Sequence, residues 1–261
     1  MKPTNRFPDV LVNTNIMASD PLISIITITY NAESTIEPTL ISVASQTFRD
    51  FEHIIVDGAS TDDTLSIARK FTDLRILSER DSGLYDAMNK GMVMARGKYL
   101  LFLNSGDTFH SDTTLASYAE RAAQGDDIIF GDTVIVDKCR HIVGKRHLTA
   151  PATLTFESFS KGMLICHQAF MVRRDIAPLY DLRYRFSADY DWTVKCIKAS
   201  NPRRCTNLDM ITIDYLSDGL TDKNKIKSLR ERYRIMSGHY GAVRTLFNHL
   251  GFVFRAVKRR F

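Results

Sequence analysis

An alternation of apolar strand-like runs with helical patterns, starting at Leu22, narrows the fold of this chain more than any other feature. Leu22–Thr29 (LISIITIT) is β-branched and almost continuously apolar, as expected of a strand covered on both faces. Ile36, Leu40, Val43 and Ala44 then recur at helical spacing, and Phe51–Asp57 returns to an Ile/Val-rich strand. A polar turn (Gly58–Asp62), a helix ending near Phe71, a strand Arg75–Ser78, a helix Leu84–Ala95 and a strand Lys98–Leu103 continue the pattern. Strands alternating with helices require right-handed crossovers and a parallel sheet, so an α/β doubly wound core is expected. In such sheets ligands bind beyond the carboxyl ends of the strands.

The second half is less regular. Asp127–Phe130, Thr133–Val136, His141–Gly144 and a stretch around His167–Val172 read as strands, and Asp189–Ala199 reads as a helix. This predicts a mixed or antiparallel extension of the sheet, with helix again from Ile226 onward. No fixed-period repeat interrupts the 261 residues, and no Gly-, Ser- or Pro-rich linker does. A composition 44% hydrophobic and 25% charged excludes disordered and fibrous classes. Cys139, Cys166, Cys196 and Cys205 are far apart with no Cys-x-x-Cys pair, which argues for reduced thiols rather than a zinc site or a disulfide framework. No run reaches the roughly 18 apolar residues of a membrane span, and Met1–Asp20 lacks the apolar core of a signal peptide. The expected location is therefore cytoplasmic.

Charge is distributed unevenly. Lys223–Phe261 holds eleven Lys/Arg and one acid, Glu231, so this tail carries +10 of a net +5 and leaves residues 1–222 at −5. Leu246, Leu250, Val253 and Val257 fall at helical spacing beside Phe247, Phe254 and Phe261, with Arg255, Lys258, Arg259 and Arg260 on the polar side. A basic amphipathic helix of this kind suits an anionic membrane surface; its alternative is packing on the domain or on a second copy, as a homo-oligomer. No nucleic-acid-binding module accompanies the basic residues, so nucleic acid is not expected as a partner.

Four polar clusters follow the first four strands: Thr29-Tyr30-Asn31, Asp57–Asp62, Arg80–Gly83 and Asn104–Asp107. They should converge on one sheet edge. Their carboxylates, amides, hydroxyls and ring suit a nucleotide's base and ribose, with a hard divalent ion at its diphosphate. Neither Gly-x-Gly-x-x-Gly after the first strand nor a Gly-x-x-x-x-Gly-Lys-Ser/Thr loop is present, which weakens the common dinucleotide and phosphate-loop alternatives.

Four ordered motifs carry a resemblance to glycosyltransferase family 2, with its GT-A fold. They are Ser24–Asn31 (SIITITYN), Ile54–Thr64 (IIVDGASTDDT), Ser78–Gly91 (SERDSGLYDAMNKG) and Gly97–Asp107 (GKYLLFLNSGD), with a fainter Ser187–Trp192 (SADYDW). The resemblance spans about residues 22–192. It implies an inverting, non-processive transferase, with residues 21–110 as the nucleotide-sugar half and 111–220 as the acceptor half of one domain. Residues 1–20 would then be a polar leader and 221–261 a basic helical tail.

By that resemblance Thr29, Tyr30, Asn31 and Glu33 lie around the base and ribose, and Asp57 holds the base. Arg80, Asp81, Asp86 and Lys90 line the base or diphosphate side. Asn104 and Ser105 begin the segment that stands at the family's Asp-x-Asp position, where Asp107 is the expected ligand of Mn²⁺ or Mg²⁺. Asn104 and Gly106 replace acids there, which lowers the charge of the site. Asp189 matches the general base that takes the acceptor hydroxyl's proton, with Asp191 as the second choice. His167 and Gln168 would touch the acceptor or diphosphate. The Gln-x-x-Arg-Trp motif of the processive synthases is missing after Trp192. The implied activity is transfer of one sugar from a uridine- or guanosine-linked donor, UDP being the first choice, to a glycan or lipid-linked acceptor in cell-surface polysaccharide synthesis at the inner membrane face. The alternative is a non-catalytic nucleotide-sugar-binding or scaffolding protein.

Overall fold

The computed structural model describes residues 20–217 and 225–249. Strands β1 (Ile23–Thr29), β2 (Phe51–Asp57), β3 (Leu74–Ser78) and β4 (Tyr99–Phe102) are mutually parallel in the order β3-β2-β1-β4. Helices α1 (Ile36–Ala44), α2 (Thr64–Ala68) and α3 (Leu84–Met94) make the crossovers. Chain order reverses at β1, with β2 on one side and β4 on the other, and the crevice that opens at such a switch point lies over the ends of β1 and β4.

Beyond β4 the sheet turns mixed. β8 (Phe170–Arg173) runs antiparallel to β4 and to β6 (Ile128–Val136), β9 (Cys205–Leu216) runs parallel to β6, and β5 (Thr108–Phe109) closes the edge. β7 (Ile142–Lys145) forms a hairpin with β6. The two short strands expected around Asp127 and Thr133 are one strand. It passes through Gly131, where a Cβ would lie 2.5 Å from the Thr212 side chain and 2.9 Å from the Met210 carbonyl, so only glycine lets β9 approach. The strand expected from His167 begins later: His167–Ala169 is a 3₁₀ turn and β8 starts at Phe170. Helix α4 (Thr114–Ala123) and β9 were not anticipated from sequence.

Period-2 alternation divides the core between the two sheet faces. Ile26, Ile28, Ile54, Val56, Leu100 and Phe102 pack with Met88 and Met92 of α3 and with Trp192 of α5 (Ala188–Ala199). Ile23, Ile25, Tyr99 and Leu101 pack on the opposite face with Val43 of α1 and with Leu115 and Tyr118 of α4. Helix α6 (Lys225–Tyr240), which opens the basic tail, inserts Ile235 and Met236 into the first core. At about 1.5–3 kcal/mol for each fully buried apolar side chain, these two residues hold α6 on the domain. This helix precedes the 246–261 stripe for which membrane binding and packing were the alternatives. Residues 242–249 are helical, with Val243, Leu246 and Phe247 exposed. The leader through residue 19, and Leu250, Val253, Phe254, Val257, the basic cluster at 255–260 and Phe261, lie outside the described residues.

Candidate active site

The loops after β1 and β2 are laced together by reciprocal side-chain bonds. Asn31, Ala32 and Glu33 donate their backbone N–H groups to Ser60 Oγ (2.8 Å), Thr64 Oγ1 (2.7 Å) and Asp62 (3.1 Å). In return Asn31 Oδ1 accepts from the Thr61 N–H (2.9 Å) and Glu33 from the Asp63 N–H (3.1 Å). Asn31 and Ala59 sit at positive φ (46° and 63°) to make these turns. Asn31 and Glu33 thus shape the loop with the same oxygens that sequence reasoning assigned to a ligand. Asp57 is wholly buried and accepts from Ser78 Oγ (2.6 Å), from the Ser60 N–H (3.0 Å) and from Ser60 Oγ. It anchors the loop after β2 to the end of β3.

What this frame leaves to a ligand is Tyr30, whose ring is 63% exposed at the end of β1. Beside it Asp81 caps the Gly83 N–H (2.9 Å), and its second oxygen lies only 2.6 Å from where a Cβ on Gly58 would stand. At the ends of β1 and β4, joined by the Ser105 N–H to Ile28 carbonyl bond (3.2 Å), three buried polar atoms have no partner among the described residues: Thr29 Oγ1, Asn104 Oδ1 and Ser105 Oγ. Unpaired buried polar atoms are rare enough to mark a place built for a polar ligand or water.

The Tyr-Asp-Ala-Met-Asn-Lys stretch of α3 splits into two i,i+4 pairs on different helix faces. Asp86 and Lys90 face the loop after β3: Asp86 accepts from the Ser82 N–H (2.9 Å), and the Lys90 ammonium bonds the Arg80 carbonyl (2.7 Å) and pairs with Glu79 (2.8 Å). Lys90 is thereby a clasp, whereas the Arg80 side chain remains exposed. Tyr85 and Asn89 face the other way. Asn89 exchanges two bonds with the Tyr180 backbone (2.7 and 3.0 Å), and the Tyr85 hydroxyl donates to Asp189 Oδ1 at 3.1 Å. Burial, and then the neighbouring Asp189 charge, push the Tyr85 phenol far above its ordinary value, so it stays a donor. Tyr85 also lines a cavity of about 560 Å³ between the N-terminus of α3 and residues 182–186.

Asp189 and Asp191 both lie in the first turn of α5 but point to different sides, because residues two apart on a helix do not share a face. Asp191 is 4% exposed and is held by His239 of α6 (2.7 Å) and Lys195 (2.6 Å); those partners draw its pKa down against the cost of burial. It fastens α5 to α6, and its carboxylate is engaged by those two partners. The start of α5 is itself fastened by Glu231, the one acid of the basic tail. Its carboxylate accepts from the consecutive N–H groups of Arg185, Phe186 and Ser187, each at 2.7 Å. Ser187 Oγ and Ser228 Oγ add a further contact at 3.1 Å.

Asp107 does not present a ready carboxylate. Its oxygens accept from the Leu216 N–H (2.9 Å) and the Gln168 amide (2.9 Å), which ties the end of β4 to the end of β9. Burial raises its pKa to about 7. Gly106 brings no ligand, and no group of three or more His, Cys, Asp or Glu side chains among the described residues could hold a metal ion. The donor set therefore does not make an ion site on its own. His167 is buried with Nε2 on the Tyr180 hydroxyl (2.6 Å), in an aromatic cluster with Phe102 and Trp192, and burial lowers its pKa to about 4. It is a neutral core residue, with Nδ1 unpaired among the described residues.

The family model for Glycosyl transferase family 2 matches residues 24–178. The chain belongs to this family. It is 36% identical over 226 residues to a PGL/p-HBAD biosynthesis glycosyltransferase of Mycobacterium tuberculosis, covering 80% of this chain and 84% of that one. An Escherichia coli UDP-Glc:alpha-D-GlcNAc-diphosphoundecaprenol beta-1,3-glucosyltransferase, WfgD, is 27% identical over 83% of this chain and 86% of its own length. Among solved structures, S. aureus TarS 1–349 in complex with UDP-GlcNAc superposes with a TM-score of 0.69 at 21% identity, covering 88% of this chain and 73% of that one. Glucosyl-3-phosphoglycerate synthase of Mycobacterium tuberculosis, in complex with Mn²⁺ and UDP, superposes at 0.61 with 13% identity, over 85% and 80% of the two chains. The fold is GT-A and the chain is a glycosyltransferase, which sets aside the non-catalytic alternative.

Sequence reasoning did not single out Tyr85, which bonds Asp189, or Glu231, which fastens the start of its helix. The signal for Glu231 was its solitude, one acid among eleven bases. Tyr85 and Asn89 had a signal in their four-residue spacing.

Proposed function

We propose that this enzyme transfers one sugar from a UDP-linked donor, with inversion, to a hydroxyl of a glycan or lipid-linked acceptor in cell-surface polysaccharide or glycolipid synthesis. The observation that carries the reading is Asp189 in the first turn of α5, held by the Tyr85 hydroxyl beside a ligand-sized cavity. UDP is the nucleotide that the WfgD and TarS descriptions name; the WfgD name gives a diphosphoundecaprenol-linked sugar as acceptor, and the Mycobacterium tuberculosis relative is named for PGL/p-HBAD biosynthesis.

In this mechanism Asp189 accepts the proton of the acceptor hydroxyl while that oxygen forms a bond to the anomeric carbon. The bond from that carbon to the diphosphate oxygen breaks, its electron pair leaves with UDP, and inversion follows from attack opposite the leaving group. Tyr85 keeps Asp189 aimed, and Tyr30 offers a face for the uracil ring. Thr29, Asn104 and Ser105 supply the unpaired polar atoms for ribose or diphosphate, with Arg80 at the rim. No step is assigned to a divalent ion. Missing synthase motifs fit a single addition, and a basic C-terminus fits work at an anionic membrane face. Among the described residues no helix is long and apolar enough to cross a membrane.

Asp189→Asn tests the assignment. Turnover should fall about 10²–10⁴-fold, the range of a lost general base, while UDP affinity stays within twofold. Transfer at the wild-type rate would remove Asp189 from the mechanism.

A further inference from the structure

Helix α6 does more than fasten α5. Lys227, Arg230 and Arg234 stand at i, i+3 and i+7, the spacing of one helix face, and line a cavity of about 340 Å³ whose opposite wall is Arg183, Tyr184 and Phe186. That volume lies within the range of ligand clefts, about 300–1,000 Å³. Four cations and one carboxylate border it. The carboxylate is Glu231, whose oxygens are already committed to the backbone N–H groups of residues 185–187. Arg183 is paired with Asp181 at 2.6 Å, but Lys227, Arg230 and Arg234 form no ion pair among the described residues. A cleft with cations on both walls concentrates anions, and guanidinium forks match phosphate oxygens bidentately. Tyr184 and Phe186 give the same cleft an aromatic side, and Leu182, 53% exposed, lines the neighbouring cavity.

The two cavities share Arg183, Tyr184 and Phe186 in their walls, so they adjoin at this segment. The first reaches Tyr85, which holds Asp189; the second is lined by the basic face of α6. We infer that the groove between residues 183–186 and helix α6 binds a phosphate or diphosphate ester on the acceptor, close to an apolar chain, while the hydroxyl to be glycosylated lies toward Asp189. The inference rests on the reading of Asp189 as the base and narrows the acceptor class to anionic amphiphiles. It also gives α6 a reason to lie against the catalytic helix: the element that sets the base also carries the acceptor's charge.

The test uses the whole chain saturated with UDP, so that the donor's own diphosphate site is filled. Binding of geranyl diphosphate, of inorganic pyrophosphate and of phosphatidylcholine vesicles with and without phosphatidylglycerol is measured for the wild type and for Arg230→Gln/Arg234→Gln. The expected result is geranyl diphosphate binding alongside UDP, pyrophosphate binding more weakly, and a loss of tenfold or more in the double variant with UDP affinity unchanged. Displacement of UDP by geranyl diphosphate, or equal binding by the double variant, would overturn the site. So would a variant-sensitive response to anionic vesicles with none to geranyl diphosphate, which would make the groove a headgroup contact. Absence of UDP binding in the wild type would instead count against the donor reading, so the two failures are distinguishable.

Discussion

Replacing Glu231 by alanine should damage catalysis through a residue that no reaction scheme would include. The Glu231 carboxylate receives three consecutive N–H groups at 2.7 Å, immediately before the helix that carries Asp189. A hydrogen bond to a charged group contributes about 1.5–3 kcal/mol. Arg185 is exposed and Phe186 half-buried, so water can replace part of this, and a net loss of about 2–4 kcal/mol is expected from the three bonds together. In a chain of this size roughly 2–4 °C of Tm accompanies each kcal/mol, which places the shift at about 5–15 °C. Release of residues 185–187 also frees the first turn of α5, and a displacement of about 1 Å at a catalytic group costs on the order of 10²-fold in rate. Thermal melting and turnover, measured below the variant's Tm at saturating donor, read the two effects separately. Glu231→Gln keeps one accepting oxygen and should fall between alanine and wild type in both. An alanine variant that melts within 1 °C of wild type and turns over at the wild-type rate would refute the claim that α6 sets the base.

Three smaller perturbations follow from the same geometry. Tyr85→Phe removes a single 3.1 Å bond to Asp189; at roughly 1 kcal/mol for such a bond, kcat should drop several-fold with donor KM unchanged, and a change in donor KM alone would misplace Tyr85. Gly58→Ala puts a methyl 2.6 Å from the Asp81 carboxylate and 3.3 Å from the Tyr30 ring, so UDP titration should show weaker binding by about tenfold, with a stability loss of only about 1 kcal/mol because Asp81 can swing away; unchanged UDP affinity would put the nucleotide elsewhere. Asp107, raised to about 7 by burial, keeps its proton in the folded state between about pH 4 and 7 where the unfolded chain has released it. The stability of wild type relative to Asp107→Asn should therefore fall as pH rises through that interval and level off above it. Parallel melting curves from pH 4.5 to 8 would contradict the burial of that carboxyl.

The first half of the fold was legible because its strands advertise themselves. β2 is expected and found at Phe51–Asp57, and β1, β3 and β4 lie within a residue of their expected ends. Apolar β-branched runs between helical patterns leave few other arrangements. β9 was hidden by Asn207, Asp209 and Asp214, which read as loop residues, yet it is a twelve-residue strand because β6 and β5 pair with its backbone. α4 had the right spacing, with Leu115, Tyr118, Ala119 and Ala122 buried, but alanines give a faint hydropathy signal.

The site was legible in residue type and not in residue role, for a physical reason. A carboxylate or amide at the end of a strand has the same chemistry whether it meets a ligand or a neighbouring loop, and only the tertiary hydrogen bonds decide. Asn31, Glu33, Asp57, Lys90 and Asp107 all stand where a ligand-binding residue would, and each turns its polar atoms onto the backbone or side chains of adjoining segments. Their partners are mostly tens of residues away: Gln168 is 61 positions from Asp107, and Leu216 is 109. The groups that remain for a nucleotide are fewer, and they can be aimed because the others are committed. Asp189 shows the same logic at the acceptor side. Its neighbour Asp191 is the same residue type in the same first turn, but a shift of two residues turns it toward His239 and Lys195 and makes it a fastener. A base needs one side chain held in place and several others to hold it, and in this chain the holders come from α3 and α6, about a hundred residues before Asp189 and some forty after it.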